Sequence, residues 1–313
     1  MRGFVVPLDP QVEAMRAKRE ADDVPQLYTQ TLAEARAADL ASIRAAGGEV
    51  EHVHHVEDVL LAESGLPLRI YRPEGEGLLP TLVYFFGGGW TLGSIDTADR
   101  ICRQLANSVP CQVITVGYRL APENPFPAAV HDCHQATQSI VAHAAEFHVD
   151  VERIAVGGDS AGGNLAAATT LLARESGPSL VGQLLVYPNT LYGSDTASMR
   201  AGDDPFLFNK TSVGWYWEHY LTDPADGLNP LASPLLATSH AGLPPALVIT
   251  AEYDPLRDEG EFYAEKLYAA GVPTELSRYD GMVHGFFAMS GVLDGGRKAI
   301  AESATWLRRT FDG

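Results

Sequence analysis

The chain has 313 residues, 46% of them hydrophobic, enough for a large core and with no stretch polar enough to read as disordered. Acidic residues outnumber basic ones 40 to 22, and the net charge of −18 repels phosphate backbones and anionic lipid, so no nucleic-acid partner is expected. No run reaches the ~18 apolar residues of a membrane-spanning helix, so no membrane association is expected either.

Cys102, Cys111 and Cys133 cannot all pair, and none sits in a close metal-type pair with another, which fits a reducing compartment. The opening segment is charged and broken by Pro7 and Pro10 before a signal-length apolar stretch develops, so a soluble cytoplasmic protein is expected. Nothing implies a metal or an organic cofactor.

In chain order, residues 11–46 are rich in Ala, Glu, Arg and Leu with Pro25 as a break, and predict two short helices. "HVHHVEDVLL" (52–61) and "PLRIYRP" (67–73) alternate as half-exposed strands do. From residue 81 come short continuous apolar runs, "TLVYFF", "CQVITVGY", "RIAVGG", "GQLLVYP" and "PALVITAEYD", the pattern of strands buried on both faces. Helices are predicted between them at 96–109, 127–147, 161–175 and 257–270. The alternation predicts an α/β fold, a mainly parallel central sheet with helices on both faces. More than fifty residues separate "LLVYP" from "PALVITAEYD", too many for a simple crossover. Their aromatic-rich centre, "DDPFLFNKTSVGWYWEHYL", predicts a lid or cap over the sheet.

Functional residues of such sheets lie in loops beyond the carboxyl ends of the strands. "RIAVGGDSAGGNLAAATTLLA" reads strand, sharp turn, helix, with Ser160 at the apex of a Gly-x-Ser-x-Gly elbow. A serine needs a base oriented by a carboxylate. Among ten histidines, His52, His54 and His55 fall in an early strand, and His131, His134 and His143 in a predicted helix. His284 instead follows a short strand-like run in a glycine-flanked loop, and is the candidate base. A strong strand ends at Tyr253 and delivers Asp254, the candidate acid, to the loop beyond it; capping of the next helix, one residue before Pro255, is its competing role. Asp258 and Glu259 should already lie in that helix and face away or cap it. The order Ser160, Asp254, His284 is that of α/β-hydrolases.

Three consecutive glycines in "YFFGGGWTLGS" (84–94) are costly in chain entropy, and bare backbone there can point N–H groups at a developing oxyanion. Each such donor is worth about 2.7–4 kcal/mol in the transition state. Gly87 and Gly88 are the expected donors, with Ala161 as a third.

Together the glycine loop, "YRLAPENPFPAAVHD" (118–132), "GDSAGGN" (158–164), "DPLRDEG" (254–260) and "HGF" (284–286) resemble the hormone-sensitive-lipase-type (bacterial family IV) carboxylesterases of the α/β-hydrolase superfamily. The resemblance runs from about residue 67 to the C-terminus. It implies a helical cap built from residues 1–50 and an insertion at 190–230, on a catalytic domain of residues 51–189 and 231–313. It also implies a serine esterase with Ser160, Asp254 and His284 as triad and Gly87, Gly88 and Ala161 as oxyanion hole. One residue departs from the pattern: the family usually has histidine before the glycines, and this chain has Phe86. Either the ring packs under the loop and hydrolysis proceeds, or the loop is re-aimed for an unusual substrate or reaction.

The expected activity is hydrolysis of short-chain acyl esters of small molecules through an acyl-enzyme. An amidase or deacylase, a non-hydrolytic enzyme on a small metabolite, and a retired ligand-binding protein are the alternatives. Of the cap aromatics Phe206, Phe208, Trp215 and Trp217, each either lines a pocket or anchors the cap, anchoring being the commoner role. Oligomeric state is open, a homodimer included.

Overall fold

The computed structural model describes residues 6–75 and 77–313. Residues 1–5, within the expected N-terminal cap piece, lie outside that range.

The N-terminal segment forms α1 (Pro10–Ala21) and α2 (Leu32–Ala46). Asp9 caps the first through the Gln11 amide, and a reciprocal Thr31–Glu34 capping box starts the second, so both helices begin where side chains satisfy free amides. Then come β1 (His55–Leu60), β2 (Pro67–Arg72), β3 (Leu79–Phe85), α3 (Ile95–Ser108), β4 (Gln112–Val116), α4 (Ala128–Ala142), α5 (Ala144–Phe147), β5 (Val149–Asp159), α6 (Ala161–Ser176) and β6 (Gly182–Val186). The chain ends with α7 (Ala197–Ala201), α8 (Lys210–Tyr220), β7 (Ala246–Tyr253), α9 (Arg257–Ala269), β8 (Thr274–Val283) and α10 (Asp294–Asp312).

All eight strands join one sheet in the order β1-β2-β4-β3-β5-β6-β7-β8. From β4 to β8 every neighbouring pair is parallel, and β2 runs antiparallel to both β1 and β4. The apolar runs explain the middle of the sheet: every residue of β4 and β6 is buried. Charged β1 takes an edge, where four of its six residues stay exposed to water. α3 shows how a crossover helix packs, turning Ala98, Ile101, Cys102, Leu105 and Ala106 inward. Full burial of a leucine or isoleucine there is worth about 1.5–3 kcal/mol.

Parallel strands start from one side of the sheet and finish on the other. The loops after β3, β5, β7 and β8 therefore open on one edge, and they carry the glycine loop, Ser160, Asp254 and His284. Facing them are pieces from outside the β/α rhythm. Arg16 Nε of α1 pairs with Asp204 at 2.6 Å, and Arg19 Nε donates to the Phe206 carbonyl at 3.0 Å. Arg36 of α2 donates to the carbonyls of Thr91 and Ala121 and to the Glu123 carboxylate. The N-terminal helices are thus tied both to the segment between β6 and β7 and to the glycine loop.

Three local expectations need correction. The predicted helix at 127–147 is interrupted at His143, where the backbone leaves helical geometry and splits it into α4 and α5. The first strand begins at His55, so His52 and His54 precede it. Helix α10 had no counterpart among the predicted elements. Its first turn holds Gly295 and Gly296, a loop-like pair in sequence, present because a Cβ at either would meet Met282 or the Phe286 carbonyl within 2.5 Å.

Candidate active site

Ser160 sits between β5 and α6 with φ 57° and ψ −121°, a strained backbone for any residue with a side chain. Its amide donates to the Val186 carbonyl at 2.8 Å, which fixes the turn to β6. The flanking glycines follow from packing: a Cβ at Gly158 would lie 2.4 Å from Gly162, and one at Gly162 would lie 2.0 Å from the Phe85 carbonyl oxygen. Helix α6 begins at Ala161, so its free first-turn amides and the positive end of its dipole adjoin the serine hydroxyl.

The three expected side chains meet. His284 Nε2 lies 2.9 Å from Ser160 Oγ, and His284 Nδ1 lies 2.7 Å from Asp254 Oδ2. A carboxylate only accepts, so the proton of the neutral ring belongs on Nδ1, leaving Nε2 to accept from the serine. Asp254 is buried and its other oxygen, Oδ1, accepts the Leu256 amide at 2.8 Å. The competing roles of Asp254 are therefore divided between its two oxygens: one turns the chain toward α9, the other faces the imidazole. Phe208 stacks on the His284 ring at 4.0 Å and Tyr187 packs against it at 4.6 Å, so the imidazole is held by two aromatic neighbours. The remaining candidate histidines are elsewhere; His134 Nε2 is 2.9 Å from the Gly177 carbonyl, and His143 Nδ1 the same distance from that of Ser139.

The glycine loop corrects one expected donor. The Gly87 amide donates to Asp159 Oδ1 at 3.1 Å and is already occupied. Among the described residues the amides of Gly88 and Gly89 have no acceptor, and both glycines line the same cavity as Ser160 and His284. Each needs to be glycine. Gly88 has φ 121° and would bring a Cβ 2.5 Å from the Leu92 carbonyl oxygen, while Gly89 has φ 58° and would bring one 2.0 Å from the Tyr216 ring.

Phe86 packs under this loop. Its ring stacks on Tyr118 at 4.2 Å, and Tyr118 Oη donates to the Phe86 carbonyl at 2.7 Å. Asp159, the residue before the nucleophile, accepts from Tyr84 Oη at 2.8 Å as well as from Gly87. Burial pushes its carboxyl upward, and these bonds oppose that shift. The loop is held by an aromatic stack and a half-buried carboxylate where a histidine is usual.

Sequence reasoning missed both Asp159 and Glu259. Glu259 neither faces away nor caps α9: it is fully buried, and its Oε1 accepts the amides of Thr190 and Leu191 at 2.8 and 3.3 Å. Burial pushes its carboxyl up to about 8. A signal was present: Glu259 shares a helical stripe with Tyr263 and Leu267, the buried face of α9, and its charge alone argued for exposure.

The cavity over this centre has a volume of about 920 Å³ and includes Phe206, Phe208 and Trp215. Trp217 instead packs against Trp90 at 4.5 Å and Tyr192 at 5.4 Å, an anchoring role. Among the described residues no group of three or more His, Cys, Asp or Glu could hold a metal.

A nucleophile elbow, a hydrogen-bonded imidazole and carboxylate, and bare amides at the carboxyl edge of a mainly parallel sheet define an α/β hydrolase. A family model described as alpha/beta hydrolase fold matches residues 82–288, and the chain belongs to that family. It is 41% identical over 310 residues to the carboxylic ester hydrolase LipN of Mycobacterium tuberculosis, covering 96% of this chain and 82% of that protein. An arylesterase of Saccharolobus solfataricus is 46% identical over 229 residues, 73% of this chain and 75% of that one. The crystal structure of a hyperthermophilic esterase from Pyrobaculum calidifontis superposes with a TM-score of 0.91 at 39% identity, covering 97% of this chain and 98% of that one.

Proposed function

We propose that Ser160, His284 and Asp254 carry a two-step acyl transfer, and that the amides of Gly88, Gly89 and Ala161 hold its oxyanion. The protein is a serine carboxylic ester hydrolase acting on small-molecule esters. The reading of these roles rests on one line of contacts, 2.9 Å from Ser160 Oγ to His284 Nε2 and 2.7 Å from His284 Nδ1 to Asp254.

In the first step His284 Nε2 takes the hydroxyl proton while Ser160 Oγ bonds to the ester carbonyl carbon, and the carbonyl electron pair moves onto oxygen. The free amides stabilise that charge without reorganising, since the loop is already fixed by Asp159 and Tyr118. Collapse of the tetrahedral species breaks the bond to the alcohol oxygen, which leaves with the proton from Nε2. Water then attacks the acyl-serine, giving its proton to the same nitrogen; the carboxylic acid departs and Ser160 recovers its hydrogen.

The finer substrate range is short acyl chains, favoured by a cavity walled with Phe206, Phe208 and Trp215. Residues 1–50 and 190–230 serve as the cap, and residues 51–189 and 231–313 as the catalytic domain, a division supported by the Arg16–Asp204 pair. Three buried, unpaired cysteines favour the cytoplasm, and among the described residues no helix is long and apolar enough to cross a membrane. Strand β8 ends the sheet, its Gly281 carbonyl taken by the Asp9 amide, and with Leu276, Phe262 and Tyr268 exposed on β8 and α9 that side of the fold supports a homodimer.

Replacing Ser160 with Ala tests the assignment. Turnover of p-nitrophenyl acetate should disappear while the circular dichroism spectrum and melting temperature stay unchanged; retained turnover would refute it.

A further inference from the structure

Helix α2 places a further carboxyl in the cavity that holds the serine. Asp39 lines it together with Ser160, His284 and the three glycines. The residue as a whole is half-buried, but its Oδ2 is shut off from solvent and has no hydrogen-bond partner. A buried oxygen without a partner costs free energy. The groups that act on this carboxyl are its own burial, the like charge of Asp159 and the Gly93 N–H, none of which supplies a cation, and the first two push it up to about 7.

The basic side chains of the same cavity are engaged elsewhere: Lys18 Nζ pairs with Asp22 at 2.7 Å, and Arg19 Nε donates to the Phe206 carbonyl. The walls beside Asp39 are aromatic. Tyr216, whose phenol is raised by burial first and by the nearby Asp39 carboxylate second, lines the same cavity, as do Phe208 and Trp215. A carboxylate without a counter-ion among aromatic faces is the chemistry that recognises an ammonium group, by ion pairing and cation–π attraction together.

We propose that Asp39 is a specificity-determining residue that selects esters carrying a cationic ammonium substituent. A cation seated there would pair Asp39 and relieve its repulsion from Asp159, so binding removes a cost that the empty cavity carries. The neutral counterpart of the same shape gains the aromatic contacts without the ion pair.

The inference rests on the esterase reading, and its test separates the two. Acetylcholine and 3,3-dimethylbutyl acetate have the same shape and differ in the charge of one atom. Their kcat/KM ratio is measured at pH 8, where Asp39 is mostly ionised, for the native enzyme and for Asp39→Leu. The expected result is that the preference for acetylcholine falls about tenfold in the variant, the scale of one cation–π and ion-pair contact. Any change in turnover of the neutral ester should be smaller than the loss on acetylcholine. A ratio within threefold of the native value, or an equal loss on both esters, overturns the proposal. Should Asp39→Leu fail to fold, Asp39→Asn keeps the shape, removes the charge and is read in the same way. If neither ester is hydrolysed the esterase reading fails, while calorimetric binding of the two esters to Ser160→Ala still decides whether Asp39 discriminates charge.

Discussion

Asp159 Oδ1 accepts the Gly87 amide at 3.1 Å, so the residue before the nucleophile holds the loop that faces it. The same oxygen takes the Tyr84 hydroxyl at 2.8 Å, which ties the contact to the buried end of β3. Replacing Asp159 with Ala frees both donors and lets the loop shift. The expected outcome is a fall in kcat of about tenfold to a hundredfold, on the scale of weakening one or two oxyanion donors, with KM changed far less. Asn keeps the acceptor oxygen and should lose less than Ala. Steady-state kinetics on one p-nitrophenyl ester check both.

Asp254→Asn should leave the fold intact and lower kcat by about 10⁴-fold, because the amide can donate to His284 and stabilise the wrong tautomer. Oδ1 would still accept the Leu256 amide, so thermal stability should move little. A large melting shift with modest loss of rate would instead assign Asp254 to the turn alone.

Gly88→Ala and Gly87→Ala separate free amides from occupied ones. At Gly88 the added Cβ meets the Leu92 backbone at 2.5 Å, which cannot rotate away. At Gly87 it meets Asp159, again at 2.5 Å. Both variants should lose at least a hundredfold in kcat, but for different reasons. The Gly87→Ala penalty should be smaller, though not absent, when measured in an Asp159→Ala background, since the Asp159 backbone oxygen stays 2.9 Å away, while the Gly88→Ala penalty should be the same in both backgrounds, as a double-mutant cycle in kcat would read.

Glu259 predicts a pH dependence of stability. Its carboxyl is raised to about 8 in the fold, against an ordinary value of 4.5. Between those values the folded chain binds a proton that the unfolded chain has released, so this residue's contribution is fully present below about 4.5 and is lost as pH rises toward 8. Glu259→Gln removes the titration. The difference in melting temperature between variant and native protein should therefore grow in the variant's favour from pH 5 to pH 8; a constant difference would contradict it.

Much of the site was legible because it is local. The Gly-Asp-Ser-Ala-Gly elbow announces its own backbone strain, and Asp254 and His284 stand just past strand-like runs, where a parallel sheet delivers loops to one edge. The identity of the free amides was not legible. Gly87, Gly88 and Gly89 are equivalent as letters, and only the approach of Asp159 occupies the first of them. Asp39 escaped because the pattern of α2 allows exposure there, and only the folded chain shuts off its Oδ2. Glu259 escaped because its charge was given more weight than its place, four residues before Tyr263 and eight before Leu267 on the buried face of α9. The Phe86 question also needed coordinates, since a ring that stacks on Tyr118 reads in sequence like any other apolar residue.

The most direct measurement is a crystal structure of the enzyme inactivated by a short-chain fluorophosphonate. The account predicts phosphorus bonded to Ser160 Oγ, with the phosphoryl oxygen within about 3.2 Å of the Gly88, Gly89 and Ala161 nitrogens. The Gly87 N–H should remain on Asp159. A phosphoryl oxygen turned away from those three amides, or an adduct on any other residue, would contradict it.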